Sequence, residues 1–222
     1  MSQRPILAVI GGTGDLGGGL AWRWAAAGYT VIIGSRSAEK AETAAAEIRA
    51  DHPQAEVRGD ENAAAAAAAD LVVLTVPFAA QAPNLEAIRD ACRGKVLLDC
   101  TVPLVPPKVA RVQLPQPGCA ALLAQQAVGD EVDVCSAFHN VGAEHLRGDH
   151  PVDCDVLVFG DKVAARDQVV ALVEAAGMKA WHAGPLANSA AAEALTSVLI
   201  GINKRYGIRG SGLRITGEPS TE

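Results

Sequence analysis

The chain has 222 residues, of which 50% are hydrophobic, and a formal net charge of −6. That length suits one large domain, or one domain with a small appendage, and is enough to bury a proper core. The acidic balance provides no basic surface for duplex DNA or RNA, and the apolar runs break well before the roughly 18 residues a membrane span needs.

Met1-Ser2-Gln3-Arg4 leads straight into the apolar run Ile6-Leu7-Ala8-Val9-Ile10, which leaves no room for a signal peptide and gives a cytoplasmic location as the expectation. Directly after that strand comes Gly12-Thr13-Gly14-Asp15-Leu16-Gly17. A glycine turn between a buried strand and a helix starting near Asp15 lets backbone approach a pyrophosphate, with the helix's positive end aimed at the charge. Such a glycine pattern is a weak signal alone, and its weight comes from the strand before it and the helix after it.

The second strand, Thr30-Val31-Ile32-Ile33, runs into Gly34-Ser35-Arg36, where a chain that binds NAD places a carboxylate for the ribose 2′-OH. A hydroxyl and a guanidinium suit a 2′-phosphate instead. Lys40 follows one turn later on the helix that Ser37 would cap, so Ser35, Arg36 and Lys40 read as a clamp for NADP, against a solvated first turn with two incidental cations. The helix spans 38–49 and His52-Pro53 ends it. A short strand near 56–58 leads to Asp60, expected to cap an alanine-rich helix over 61–69.

Leu71-Val72-Val73-Leu74-Thr75 is the fourth strand, stopped by Val76-Pro77-Phe78, and 95–98 repeats the pattern before Asp99-Cys100-Thr101-Val102-Pro103. The repeated Thr-Val-Pro wording at Thr75 and Thr101 sits at two consecutive strand ends, where ligands of open α/β sheets lie. A Pro-rich connection over 103–117, a helix over 120–128 and a strand over 133–137 deliver Phe138-His139-Asn140-Val141-Gly142 to the same edge. His139 is either part of a site there or a histidine satisfied at a strand end. Then follow a strand over 155–159, a helix over 166–176, a strand over 179–182 and a helix over 190–202 so apolar that burial in a core or an interface is expected. Four cations and no carboxylate between 203 and 217 suggest an anionic ligand or partner, or a solvated end. The alternation of strands and helices predicts an α/β fold, a doubly wound and mostly parallel sheet with a small C-terminal helical part.

The five cysteines contain no C-x-x-C and suit reduced thiols, and His139, His145 and His150 lack metal-ligand spacing, so no metal is expected. A Tyr-x-x-x-Lys pair is missing, since Tyr29 meets Ile33 and Tyr206 meets Gly210 at that spacing. The layout is similar to hydroxyacid dehydrogenases related to 6-phosphogluconate dehydrogenase, but the lysine acid/base those enzymes carry has no counterpart between Gly184 and Asn203. What remains is hydride transfer from a nicotinamide to a ring that accepts it directly, in an apolar pocket that supplies orientation.

Gly11-Gly12-Thr13-Gly14-Asp15-Leu16-Gly17, Gly34-Ser35-Arg36 with Lys40, Leu74-Thr75-Val76-Pro77-Phe78, Ser136-Ala137-Phe138-His139 and Ala183-Gly184-Pro185-Leu186-Ala187-Asn188 resemble the NADPH-dependent reductases of coenzyme F420, the F420:NADP oxidoreductases. The closing Leu213-Arg214-Ile215-Thr216-Gly217 looks like the tail of their bacterial members. The resemblance implies a Rossmann-type NADP-binding domain over 1–150, and a smaller part over 151–222 that completes the sheet and the deazaflavin pocket. It also implies a homodimer, with small-molecule cofactors NADP(H) and F420 as substrates and no nucleic acid or membrane partner. Carried over by motif, Gly12, Thr13, Gly14, Asp15 and Leu16 cradle the pyrophosphate, Ser35, Arg36 and Lys40 hold the 2′-phosphate, and Thr75, Val76, Pro77 and Phe78 flank the nucleotide, with Thr101, Val102 and Ala143 completing the cofactor site. His139 and Val141 are the catalytic-site residues implied beside the stacked rings, positioning them, and the cations at 204–214 would meet the deazaflavin's phosphate and glutamate tail. Val141-Gly142 departs from the bulkier second residue expected there. Two other readings stand beside this one, an NADPH-dependent flavin or metal reductase of the same fold and a non-catalytic NADPH-sensing module.

Overall fold

The computed structural model describes residues 4–217, so the lead-in Met1-Ser2-Gln3 lies outside the described residues. Eight strands are found among them: β1 (Leu7–Ile10), β2 (Val31–Ser35), β3 (Val57–Glu61), β4 (Leu71–Leu74), β5 (Val96–Asp99), β6 (Asp133–Ser136), β7 (Asp155–Gly160) and β8 (Lys179–His182). They make one sheet in the order β3-β2-β1-β4-β5-β6-β7-β8. All neighbours are parallel except β6 and β7, which are antiparallel and share two paired positions, Cys135 with Gly160 and Ser136 with Phe159. Because β2 and β4 lie on opposite sides of β1, the chain order reverses there and opens a crevice at the carboxyl ends. Ile10 is in register with Gly34 and Leu74, so the loops after β1, β2 and β4 start at one level.

The helices are α1 (Asp15–Ala26), α2 (Ala38–Asp51), α3 (Asn62–Ala68), α4 (Phe78–Ile88), α5 (Ala120–Val128), α6 (Val163–Ala175) and α7 (Ser189–Tyr206). The strands are apolar on both faces because both are covered. Leu7 and Val9 pack with Leu20 and Trp24 of α1, Ile48 of α2 and Leu172 of α6. Ala8 and Ile10 pack on the other side with Ala65 of α3, Leu85 of α4 and Ala124 of α5. The alanine run fits this role, since Ala65 and Ala66 are fully buried and let α3 lie close to the sheet.

Two expectations are corrected. Asp60 does not cap α3; it belongs to β3, paired with Gly34, and its Oδ1 accepts from the Glu61 amide at 2.9 Å. Val76-Pro77-Phe78 does stop β4, but Phe78 then opens α4, a helix that contains Pro83. The α7 helix buries Ala192, Glu193, Ser197 and Leu199 within the chain and leaves Val198 and Tyr206 exposed.

Candidate functional site

Gly11 takes φ +81°, a left-handed turn that lets the chain leave β1 and enter α1. Asp15 begins that helix, in the first turn where a carboxylate suits the positive end. A Cβ at Gly17 would overlap Thr75 Oγ1 and come within 2.8 Å of the Gly11 carbonyl, so only glycine lets α1 press against the end of β4. Thr75 fixes that contact, its amide and its hydroxyl both donating to the Ile10 carbonyl at 2.9 Å.

At the end of β2, Ser37 caps α2 by accepting from the Lys40 amide at 3.4 Å, and Ser35 Oγ accepts from the Ser37 amide at 3.4 Å. Arg36 and Lys40 are exposed, and neither forms an ion pair among the described residues. A cavity of about 830 Å³ opens beside Arg36, walled by Thr13 and Gly14, Ser35 and Arg36, Glu61 at the end of β3, and Thr75 to Pro77. Asn62 and Asn84, which sequence reasoning did not single out, line its far side. Asn62 Nδ2 donates to Asn84 Oδ1 at 2.8 Å, while Asn62 Oδ1 is buried without a partner. The glycine cradle, two unpaired cations and an orphaned amide oxygen fit a dinucleotide that brings its own phosphates and donors.

A second cavity, of about 530 Å³, lies on the other side of the glycine loop, between Thr13, Asp15 and Ala143, with Glu47 and Arg147 pairing at 3.0 Å at its rim. Thr101 is buried and Val102 half-buried, and neither lines these two cavities.

His139 follows Phe138, a buried residue held at φ +67°. A bulky side chain rarely adopts that conformation, and here Phe138 is locked edge-on to Trp24 with ring centroids 6.1 Å apart. Next to it Asn140 Nδ2 donates to the Asp155 carbonyl of β7 at 2.8 Å, and Val141 packs half-buried against the core. His139 itself is 4% exposed, and burial lowers its pKa to about 4. The ring is therefore neutral at physiological pH.

The model for "NADP oxidoreductase coenzyme F420-dependent" matches residues 6–103 of the chain. The F420-dependent NADP reductase of Methanothermobacter thermautotrophicus is 43% identical to it, over 97% of both chains. The chain belongs to the F420-dependent NADP reductase family. The reductase of that name from Methanocaldococcus jannaschii is 38% identical over 95% of this chain and 97% of its own. A crystal structure of an Arthrobacter sp. FB24 chain superposes with a TM-score of 0.79 at 26% identity, covering 96% of this chain and 99% of that one.

In this member of the F420-dependent NADP reductase family, the residues read from sequence fall into three groups. Gly12 to Asp15, Ser35, Arg36, Thr75 to Pro77 and Ala143 line the two cavities beside the glycine loop, Leu16, Lys40 and Phe78 line neither, and Thr101, Val102, His139 and Val141 sit beyond the ends of β5 and β6. The structure adds a buried polar group behind the last set. Gln81 Nε2 donates to Asp99 Oδ2 at 2.7 Å, and burial raises the Asp99 pKa. Glu193 of α7 is 1% exposed, and its carboxylate accepts from the Ala120 and Ala121 amides at 2.6 and 3.1 Å and from Ser189 Oγ at 2.9 Å. Burial, with the Asp99 charge adding to it, pushes the Glu193 carboxyl up to about 7 against those donors. The one available signal was Glu193 as the lone charged residue over 190–202, but its partners lie 72 and 73 positions away.

Of the cations at 204–214, Arg214 pairs with Asp153 at 3.1 Å, and Lys204, Arg205 and Arg209 are exposed. The segment after α7 returns along β7, where the Leu213 carbonyl accepts from the Asp155 amide at 2.7 Å and Asp155 Oδ2 accepts from the Ile215 amide at 2.9 Å.

Proposed function

We propose that this chain moves a hydride between NADP(H) and the deazaflavin coenzyme F420, with NADPH, a proton and oxidised F420 giving NADP⁺ and reduced F420. The observation that carries the reading is the end of β2, where Ser35 and Arg36 line an open cavity, Lys40 stands exposed one helical turn on, and β2 itself ends in no carboxylate; Glu61, paired with Ser35 at the end of β3, also lines the cavity. The family supports the second substrate. The bound rings supply the chemistry, nicotinamide C4 giving the hydride and deazaflavin C5 taking it; the protein binds, orients and excludes water.

Backbone amides of Thr13 to Leu16 at the head of α1 hold the pyrophosphate, and Ser35, Arg36 and Lys40 hold the 2′-phosphate. Thr75, Val76, Pro77 and Phe78 flank the nucleotide, with Thr101, Val102 and Ala143 closing the pocket. His139 and Val141 stand beside the rings. A neutral imidazole there orients a ring and does not deliver a proton as an acid near pH 7. Lys204, Arg205 and Arg209 face the deazaflavin's anionic tail. The division is a nucleotide-binding part over 1–150 and a part over 151–222 that completes the ring pocket.

A second copy of the chain covers α7, giving a homodimer. The support is the exposed Val198 on α7, the exposed Val105, Val112 and Leu114 of the connection beside it, and the Ser197 hydroxyl that ties the two by donating to the Arg111 carbonyl at 3.4 Å. Among the described residues no helix is long and apolar enough to cross a membrane, which is compatible with the cytoplasmic location proposed. The test is direct: purified protein with NADPH and oxidised F420 should bleach the deazaflavin's visible absorbance, and FMN or FAD in its place should stay oxidised. An unchanged F420 spectrum in the presence of NADPH overturns the reading.

A further inference from the structure

The buried contacts around Ser189 fix where the hydrogens must lie. Its Oγ is 2.8 Å from Ser136 Oγ, 2.9 Å from Glu193 Oε1 and 3.5 Å from His139 Nε2. A serine hydroxyl has one hydrogen and, above pH 7 where Glu193 is ionised, the carboxylate has none to give, so Ser189 donates to Glu193. Ser136, within the same reach, donates to Ser189. Both remaining Glu193 contacts, the Ala120 and Ala121 amides, are also donors, so every partner of this carboxylate points a hydrogen at it. The Ser189 oxygen then has only lone-pair density to offer His139. Nε2 must bring the proton to that long contact.

The other ring nitrogen supports the same assignment. His139 Nδ1 is buried and has no partner. A neutral imidazole with its proton on Nδ1 would bury an N–H with no acceptor, which folded proteins avoid more strictly than a bare lone pair. The backbone of the residue is pinned separately, its carbonyl accepting from Thr196 Oγ1 at 2.7 Å. Ring and main chain are thus held by different groups, and the ring is held through Ser189.

We propose that Glu193, acting through Ser189, is a positioning residue that keeps the imidazole proton of His139 on Nε2 and leaves Nδ1 as a bare hydrogen-bond acceptor at the end of β6. The placement of His139 beside the reacting rings rests on the function proposed above; the direction of the hydrogen bonds does not.

The experiment is a long-range proton–nitrogen correlation spectrum of the ¹⁵N-labelled full chain at pH 8 without cofactors, with His139 assigned among the five histidines by its loss in His139→Asn. The wild type should show the Nε2–H form. Glu193→Gln turns its amide NH₂ toward Ser189, reverses the serine hydroxyl and should move the proton to Nδ1. Ser189→Ala keeps Glu193 on the α5 amides, so it serves where the glutamine variant folds poorly, and should give a mixture of the two forms. In NADPH and F420 turnover each variant should lose about tenfold in kcat with the NADPH KM within about twofold, as expected when a ring is misoriented and nucleotide contacts are intact. An Nδ1–H imidazole in the wild type, the wild-type form persisting in both variants, or an unchanged kcat overturns the proposal. Because the spectra are recorded without cofactor, absence of any F420 turnover in the wild type counts against the function and not against the hydrogen-bond chain.

Discussion

Arg23 and Leu146 are 123 positions apart in the sequence, and Arg23 Nε donates to the Leu146 carbonyl at 2.7 Å from a site that is nearly closed to solvent. The same guanidinium donates to the carbonyls of His145, Gly148, His150 and Ala176 at 2.9–3.1 Å. One side chain therefore satisfies five main-chain oxygens and seats the segment after β6 on α1. Arg23→Met should cost roughly 3 kcal/mol in urea unfolding, because the planar fork has no apolar substitute and the carbonyls lose their donors. Amide exchange should rise first over residues 145–150. Uniform exchange across the chain would show that this guanidinium does not hold the loop.

Arg36→Ala removes the guanidinium from the rim of the 830 Å³ cavity. A charge-assisted hydrogen bond to phosphate contributes about 1.5–3 kcal/mol, so the NADPH KM should rise roughly 10- to 100-fold while kcat changes little. The preference for NADPH over NADH should shrink by the same factor. Steady-state kinetics with both nucleotides decide it, and an unaltered preference would remove Arg36 from the clamp.

Gly17→Ala places a methyl group onto Thr75 Oγ1 and against the Gly11 carbonyl. Overpacking at a helix–sheet contact costs about 1–3 kcal/mol, and here the displaced atoms belong to the pyrophosphate turn. Stability and NADPH affinity should fall together. A variant with wild-type affinity and only reduced stability would mean that the turn tolerates the shift.

The pH dependence of stability carries the signature of two buried groups with opposite signs. His139 falls from an ordinary 6.5 to about 4, so between those values the unfolded chain binds the extra proton and stability drops as pH falls. Glu193 rises from 4.5 to about 7, so over that range the folded chain binds the extra proton and stability drops as pH rises. Between 4.5 and 6.5 the two slopes oppose each other. Glu193→Gln removes one of them, and its stability relative to wild type should improve by about 3 kcal/mol on going from pH 5 to pH 8. Urea denaturation at the two pH values measures this, and a difference independent of pH would mean that Glu193 titrates as an ordinary carboxylate.

Local chemistry made much of the fold readable. The apolar runs at 31–33 and 71–74 are strands because apolar side chains cover both faces, and α5 and β8 begin and end where composition places them. The α4 helix was hidden by Pro83, a residue that reads as a break. It is tolerated because the carbonyl it leaves without a donor belongs to Ala79, which is exposed. The glycine turn and the end of β2 were legible since each is a few consecutive residues with one physical purpose. The Glu193, Ser189 and His139 grouping was not. It joins β6, α5 and α7 across contacts of 50 to 73 positions, and no short window contains it.

The two-rung seam between β6 and β7 has a further consequence. Six strands with the glycine turn lie on one side of it, and the β7–α6–β8 panel lies on the other, with only Cys135–Gly160 and Ser136–Phe159 as ladder pairs between them. What the ladder lacks, side chains supply: Leu172 of α6 shares a core with Leu7 and Val9, and Arg23 and Trp24 of α1 donate to the Ala176 and Leu172 carbonyls, so the last panel is riveted to the nucleotide half from behind and heat should melt the two in one step.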